Sequence, residues 1–171
     1  MNKETELVKK YRAIAESILR NKISPNLVYH TIDHTRAVVE AFKEIGYASN
    51  LSEKELELGT VAAWFHDTGY SKMTTFHEQE SISIFSEKLD DGDFSSEDIS
   101  TIHELIKGTR MPQQPTSMLG KVICDADLHH LGTESFYERS ELLKKEMENG
   151  CDFYHDDRTE LACDRKQPDK K

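Results

Sequence analysis

Residues 52–69 read SEKELELGTVAAWFHDTG, and this stretch decides the fold. Ser52 with Glu55 three residues on forms a capping box, the reciprocal pairing that opens a helix. Leu58, Val61, Ala62 and Phe65 then recur at spacings of three and four, the period of one helical face. Thr68-Gly69 marks the end. His66 and Asp67 therefore sit where an apolar helix stops, and there the backbone no longer forces neighbouring side chains onto different faces. Both can bind one cation.

The same period continues on either side. A helix over roughly 4–21 carries Leu7, Tyr11, Ile14 and Ile18, and a second over roughly 31–46 puts His34, Val38, Ala41, Phe42 and Ile45 on one side before Gly46, which reads as its stop. A fourth, His77 to Leu89, turns Ile82, Phe85 and Leu89 inward and closes at Asp90-Asp91-Gly92-Asp93. Ser95 or Ser96 caps a fifth with Ile99, Ile102 and Ile106, ending near Gly108. Met111-Pro112-Gln113-Gln114-Pro115 is a loop. A sixth helix covers roughly Ser117 to Leu131 and a seventh roughly Glu134 to Glu148, whose acidic residues read as a solvated face. No alternating run is long enough for a strand. The predicted class is all-α, one compact domain of six to seven helices over residues 1–149. Residues 150–171, dense in charge, read as a poorly ordered tail or as the start of a further helix.

Composition narrows the function. A chain of 171 residues suits one domain with a real core. Its net charge of −10 argues against a nucleic-acid backbone as partner, so a small anionic substrate needs a local positive site. No apolar run approaches the ~20 residues that span a bilayer, and residues 1–6 lack a signal-peptide core, so a cytoplasmic protein is expected. Cys124, Cys151 and Cys163 show no Cys-x-x-Cys spacing, so neither a disulfide framework nor a thiolate zinc site is expected.

A lone histidine on an apolar face is usually a core residue. Here His34, His66, Asp67 and Asp127 come as a set, and Asp67 and Asp127 lie beside the apolar runs 61–65 and 119–124. An unpaired carboxylate there would cost several kcal/mol, a cost that shared coordination removes. Imidazole and carboxylate donors suit Mn, Fe, Ni, Co or Zn, and Mg less well, which favours chemistry on phosphate.

The ordered pattern Tyr29-His30-Thr31-Ile32-Asp33-His34, His66-Asp67-Thr68-Gly69 and Asp125-Ala126-Asp127-Leu128 resembles the HD superfamily of metal-dependent phosphohydrolases, over about residues 28–132. The resemblance implies an all-helical HD domain with His34, His66, Asp67 and Asp127 as ligands of a divalent metal. It also implies hydrolysis of nucleotides or related small phosphate esters by a metal-activated water. Tyr29-His30 with His34 is similar to the element of class I cyclic nucleotide phosphodiesterases whose earlier histidine protonates the leaving oxygen. By that resemblance His30 is a general acid, with Asp67 the second catalytic residue. Histidine's ordinary pKa near 6.5 suits the task. A helix-capping role for His30 is the alternative.

The loop after Asp67 departs from the superfamily's bacterial 5′-nucleotidases, which carry a catalytic glutamate where this chain has Tyr70. His77 resembles the histidine that opens the next helix in relatives, where it meets phosphate or a second metal. Thr109 stands where a dinuclear site wants another histidine, so one metal is expected. Lys72, Lys107 and Arg110 are the remaining candidates for phosphate contact. A regulatory domain that keeps the metal without turnover, binding a ligand or protein, is the alternative function. Neither a nucleic acid nor a membrane is an expected partner, and a homodimer is compatible with the sequence.

Overall fold

A computed structural model of the chain describes residues 4–149; the expected tail, 150–171, lies outside the described residues. Seven α-helices follow in order: α1 Glu6–Asn21, α2 Ile32–Ala48, α3 Glu53–Phe65, α4 His77–Glu87, α5 Ser96–Gly108, α6 Met118–Asp127 and α7 Phe136–Glu148. Short 3₁₀ turns, Thr68–Ser71 and His129–Gly132, follow α3 and α6. The described residues contain no strand, so the all-α reading holds. None of the described helices is long and apolar enough to cross a membrane.

Helix α3 is the axis of the bundle, packed by α1, α2, α5 and α6. Its capping box forms as expected: Ser52 Oγ accepts from the Glu55 N–H at 3.3 Å, and Glu55 Oε2 accepts from the Ser52 N–H at 2.8 Å. From Leu58 to Tyr70 every residue is buried, so α3 has no wet face beyond its first turns. Gly59 makes that packing close: a Cβ there would lie 2.0 Å from Cζ of the buried Phe42. Tyr11, Phe65, Phe85 and Phe94 join α1, α3, α4 and the turn before α5 through tilted and edge-on ring contacts, with centroids 5.1–6.2 Å apart.

Two boundaries differ from expectation. Helix α2 runs through Gly46 to Ala48, and the chain turns at Asn50, whose φ of 56° is left-handed. Gly46 is instead a contact point, since a Cβ there would come 2.8 Å from Leu56 Cδ2. Helix α6 stops at Asp127 rather than near Leu131, and the 3₁₀ turn that follows changes the course of the chain. Asp127 is thus the last helical residue, as Phe65 is in α3.

Candidate metal centre and adjoining cavity

The end of α3 is built to present His66 and Asp67. The last carbonyls of a helix lack intrahelical partners and must find others when buried. Here His66 Nδ1 bonds to the Ala63 carbonyl at 2.8 Å, Thr68 Oγ1 donates to that of Phe65 at 2.8 Å, and Ser81 Oγ donates to that of His66 at 2.7 Å. Ser81 Oγ also accepts from the Gly69 N–H at 2.8 Å, tying the turn to α4. The turn passes so close to α4 that a Cβ on Gly69 would fall 1.9 Å from the His77 carbonyl oxygen, so glycine is required there. The negative ends of the α3 and α6 dipoles both lie at the site, which favours a cation.

His34 from α2 and Asp127 from α6 complete the cluster. His34 Nε2 is 3.2 Å from Asp127 Oδ1 and 3.5 Å from Asp67 Oδ2; His66 Nε2 is 3.2 Å from Asp67 Oδ2 and 3.5 Å from Asp127 Oδ1. Donors that share one ion at about 2.0–2.3 Å lie roughly 3–4 Å from one another. His34, His66 and Asp127 each offer a donor atom within 4.8 Å of the others. All four residues of the sequence pattern therefore come together.

The alignment of the donors is as informative as their spacing. His66 Nε2 and Asp67 Oδ2 are buried and have no hydrogen-bond partner, although only 3.2 Å separates them. The carbonyl of Ala63 can only accept, so the His66 proton sits on Nδ1 and a neutral ring leaves a bare lone pair on Nε2. Two buried acceptors side by side are costly unless a cation satisfies both. The donor set, two imidazoles and two carboxylates, fits a divalent transition metal.

Electrostatics show the same demand for positive charge. Burial lowers the pKa of His66, but the negative charges of Asp67 and Asp127 beside its Nε2 outweigh it and hold it well above 6.5. For His34 burial prevails and its pKa is lowered. Burial opposes ionisation of Asp67 and Asp127, yet the surrounding histidines hold both below the usual carboxylate range.

Beside the cluster opens a cavity of about 440 Å³, a size typical of small-molecule sites. Asp67, Asp127, His30, His77 and Arg110 line it, whereas His34 and His66 stand behind the wall. Tyr70 lies between two histidines, its ring stacked on His30 at 4.3 Å and on His77 at 4.0 Å. His77 Nε2 reaches within 3.6 Å of Asp67 Oδ1 and 3.5 Å of Glu78 Oε1. Burial, the main influence, lowers the His77 pKa despite those carboxylates. Thr109 lines the cavity with its hydroxyl donated to the Ile106 carbonyl at 2.8 Å. Arg110 lies over the Phe76 ring, 5.0 Å from its centroid.

The other two cations expected at a phosphate are placed elsewhere. Lys72 is exposed, outside the cavity lining, and pairs with Glu80 at 2.5 Å; Lys107 is exposed and also outside the lining. His103 meets Ser86 Oγ at 3.0 Å and the edge of Phe85, away from the cavity. Trp64 is buried in the core.

Glu146 is the residue the sequence hid. The acidic residues of α7 read as a solvated face, yet Glu146 is 0% exposed. Its Oε2 accepts from the Tyr29 N–H at 2.7 Å and the His30 N–H at 3.1 Å, and its Oε1 is 2.5 Å from His30 Nδ1. Burial opposes its ionisation, but the bonds to His30 and Tyr29 prevail and lower its pKa. His30 precedes α2, so the buried carboxylate, and not a helical face, orients its ring. Gln113 is a second such residue: its Nε2 donates to Asp127 Oδ2 at 3.2 Å and to the Thr109 carbonyl at 3.3 Å, fixing the carboxylate.

No protein-family model and no curated protein matches the chain. Among solved structures, the fold is similar to that of a Lactobacillus plantarum protein from a structural genomics effort, with a TM-score of 0.62 and 19% sequence identity. The match covers 87% of this chain and 66% of that one, and at this identity it shows a shared fold alone.

Proposed function

We propose that this domain is a metal-dependent phosphohydrolase acting on small phosphate esters, in keeping with the resemblance to the HD superfamily. The observation that carries the reading is the convergence of His34, His66, Asp67 and Asp127 around two buried donor atoms without hydrogen-bond partners, on the wall of a substrate-sized cavity. These four residues would hold Mn, Fe, Ni, Co or Zn, or less favourably Mg. A divalent ion held there would lower the pKa of a bound water and offset charge on phosphoryl oxygens.

The chain's own residues supply the rest. His30 lines the cavity with Nδ1 tied to Glu146, and its ring is the group we assign to protonate the departing oxygen. Glu146 holds the ring in one orientation at the cavity wall. Arg110 contributes positive charge and His77 a hydrogen-bond donor toward the phosphate. Gln113 keeps Asp127 in one orientation.

The test is direct. Purified protein supplied in turn with Mn, Ni, Co, Zn and Mg should release phosphate from at least one member of a panel of phosphomonoesters and diesters, and a chelator should abolish the release. Asp127→Ala should lose both metal and activity. A protein that binds metal at His34 and His66 yet cleaves no ester would favour the regulatory alternative.

A further inference from the structure

We infer that the cavity takes an ester carrying a single phosphate group and an apolar, uncharged alcohol portion, and that Leu128, Leu131, Leu143 and Met147 hold that portion. The inference rests on the phosphohydrolase reading and names its substrate class.

Two observations combine. The first is the position of the apolar lining. If His30 protonates the leaving oxygen, the alcohol lies on the His30 side of the phosphate. Helix α7, which fixes His30 through Glu146, also lines the cavity with Leu143 and Met147, one turn apart on either side of that glutamate's position. Leu128 and Leu131, from the 3₁₀ turn region after Asp127, line it as well. The turn that ends α6 early is what brings them there. Leu131 is 53% exposed and Met147 37%, so the cavity mouth offers wettable apolar surface that a bound alkyl or aryl group would cover.

The second observation is charge. Among the described lining residues Arg110 is the one Lys or Arg, against the carboxylates Asp67, Glu78 and Asp127. Lys72 is held by Glu80 outside the lining, and Lys107 is also outside it. One cation together with one metal matches one phosphate. Every further phosphate would lie among Asp67, Glu78 and Asp127 with imidazoles, and no second Lys or Arg of the described lining, to meet it. A triphosphate or a bisphosphate is therefore a poor fit.

The test uses n-alkyl phosphates of one to six carbons on the full chain. Leucine-methyl NMR spectra, recorded without added metal, should show shifts at Leu128, Leu131 and Leu143 that grow with chain length, with core leucines such as Leu19 and Leu58 unmoved. On the Mn-loaded protein, calorimetry with the matching alkylphosphonates should give affinity rising about fourfold per methylene, the value of burying about 0.8 kcal/mol each. Leu143→Asn should flatten that slope, and an unchanged far-ultraviolet circular dichroism spectrum separates lost contact from lost folding. Affinity independent of chain length, ATP binding more tightly than hexyl phosphate, or methyl shifts elsewhere would each overturn the inference. Binding that follows the slope without hydrolysis of any ester would count against the phosphohydrolase reading alone.

Discussion

Glu146 Oε1 lies 2.5 Å from His30 Nδ1, joining two residues 116 positions apart. The same carboxylate takes the backbone N–H groups of Tyr29 and His30, so it fixes the chain as well as the ring. Glu146 is the single fully buried residue of α7, and Arg139 of the same helix lies over the Tyr29 ring at 4.5 Å. The last described helix is therefore docked by polar contacts to the segment that carries the candidate acid.

His30→Ala should lower kcat by about 10²–10⁴, the usual share of a general acid. Glu146→Gln should cost less, because it weakens the contact that orients the ring while the amide oxygen can still accept from the backbone N–H groups. Metal content should stay at the wild-type level in both. Equal kcat for wild type and Glu146→Gln would remove Glu146 from the chemistry.

Metal binding should release a proton. Without a cation, His66 keeps its proton above the ordinary pKa of 6.5 because Asp67 and Asp127 more than offset burial. The metal needs the neutral ring, so its apparent affinity should fall by up to about tenfold per pH unit below that raised pKa. The sign for the metal-free fold is consistent: stabilisation by His66 is complete below 6.5 and is lost as pH rises through the raised value. Calorimetry at pH 6, 7 and 8, in buffers of different ionisation enthalpy, measures both affinity and proton release.

Gln113→Ala should weaken metal binding by about 10–100-fold, the cost of losing a hydrogen-bond partner of a ligand carboxylate. Lys72→Ala is its control. Lys72 pairs with Glu80 and Glu87 away from the cavity, so metal affinity and ester hydrolysis should be unchanged. A Lys72 variant with raised KM would return that residue to the substrate site.

Gly59→Ala should destabilise the fold by about 1–3 kcal/mol, since the new methyl meets the Phe42 ring inside a packed core. For a domain of this size that lowers Tm by about 2–4 °C per kcal/mol. Thermal unfolding followed by circular dichroism reads it. Restoration of stability by Gly59→Ala with Phe42→Leu would identify the ring as the cause.

Short-range chemistry made much of this protein legible from residue order. A capping box involves residues three apart, and a buried face repeats every three to four, so α3 and the stop at His66-Asp67 could be read directly. The same reasoning placed His34 on a core face, and it is 3% exposed. Gly46 misled because a glycine chosen for close packing against Leu56 looks the same in sequence as one chosen to end a helix. Glu146 and Gln113 were out of reach for a different reason. Nothing in the local period marks one glutamate of a charged helix for burial; that depends on two N–H groups and an imidazole more than a hundred residues away. Sequence alone determined the helical class and the identity of the four converging donors. The tertiary structure alone decided which way those donors aim, which cations stand away from the cavity and which apolar side chains line it, because each depends on contacts between segments distant along the chain.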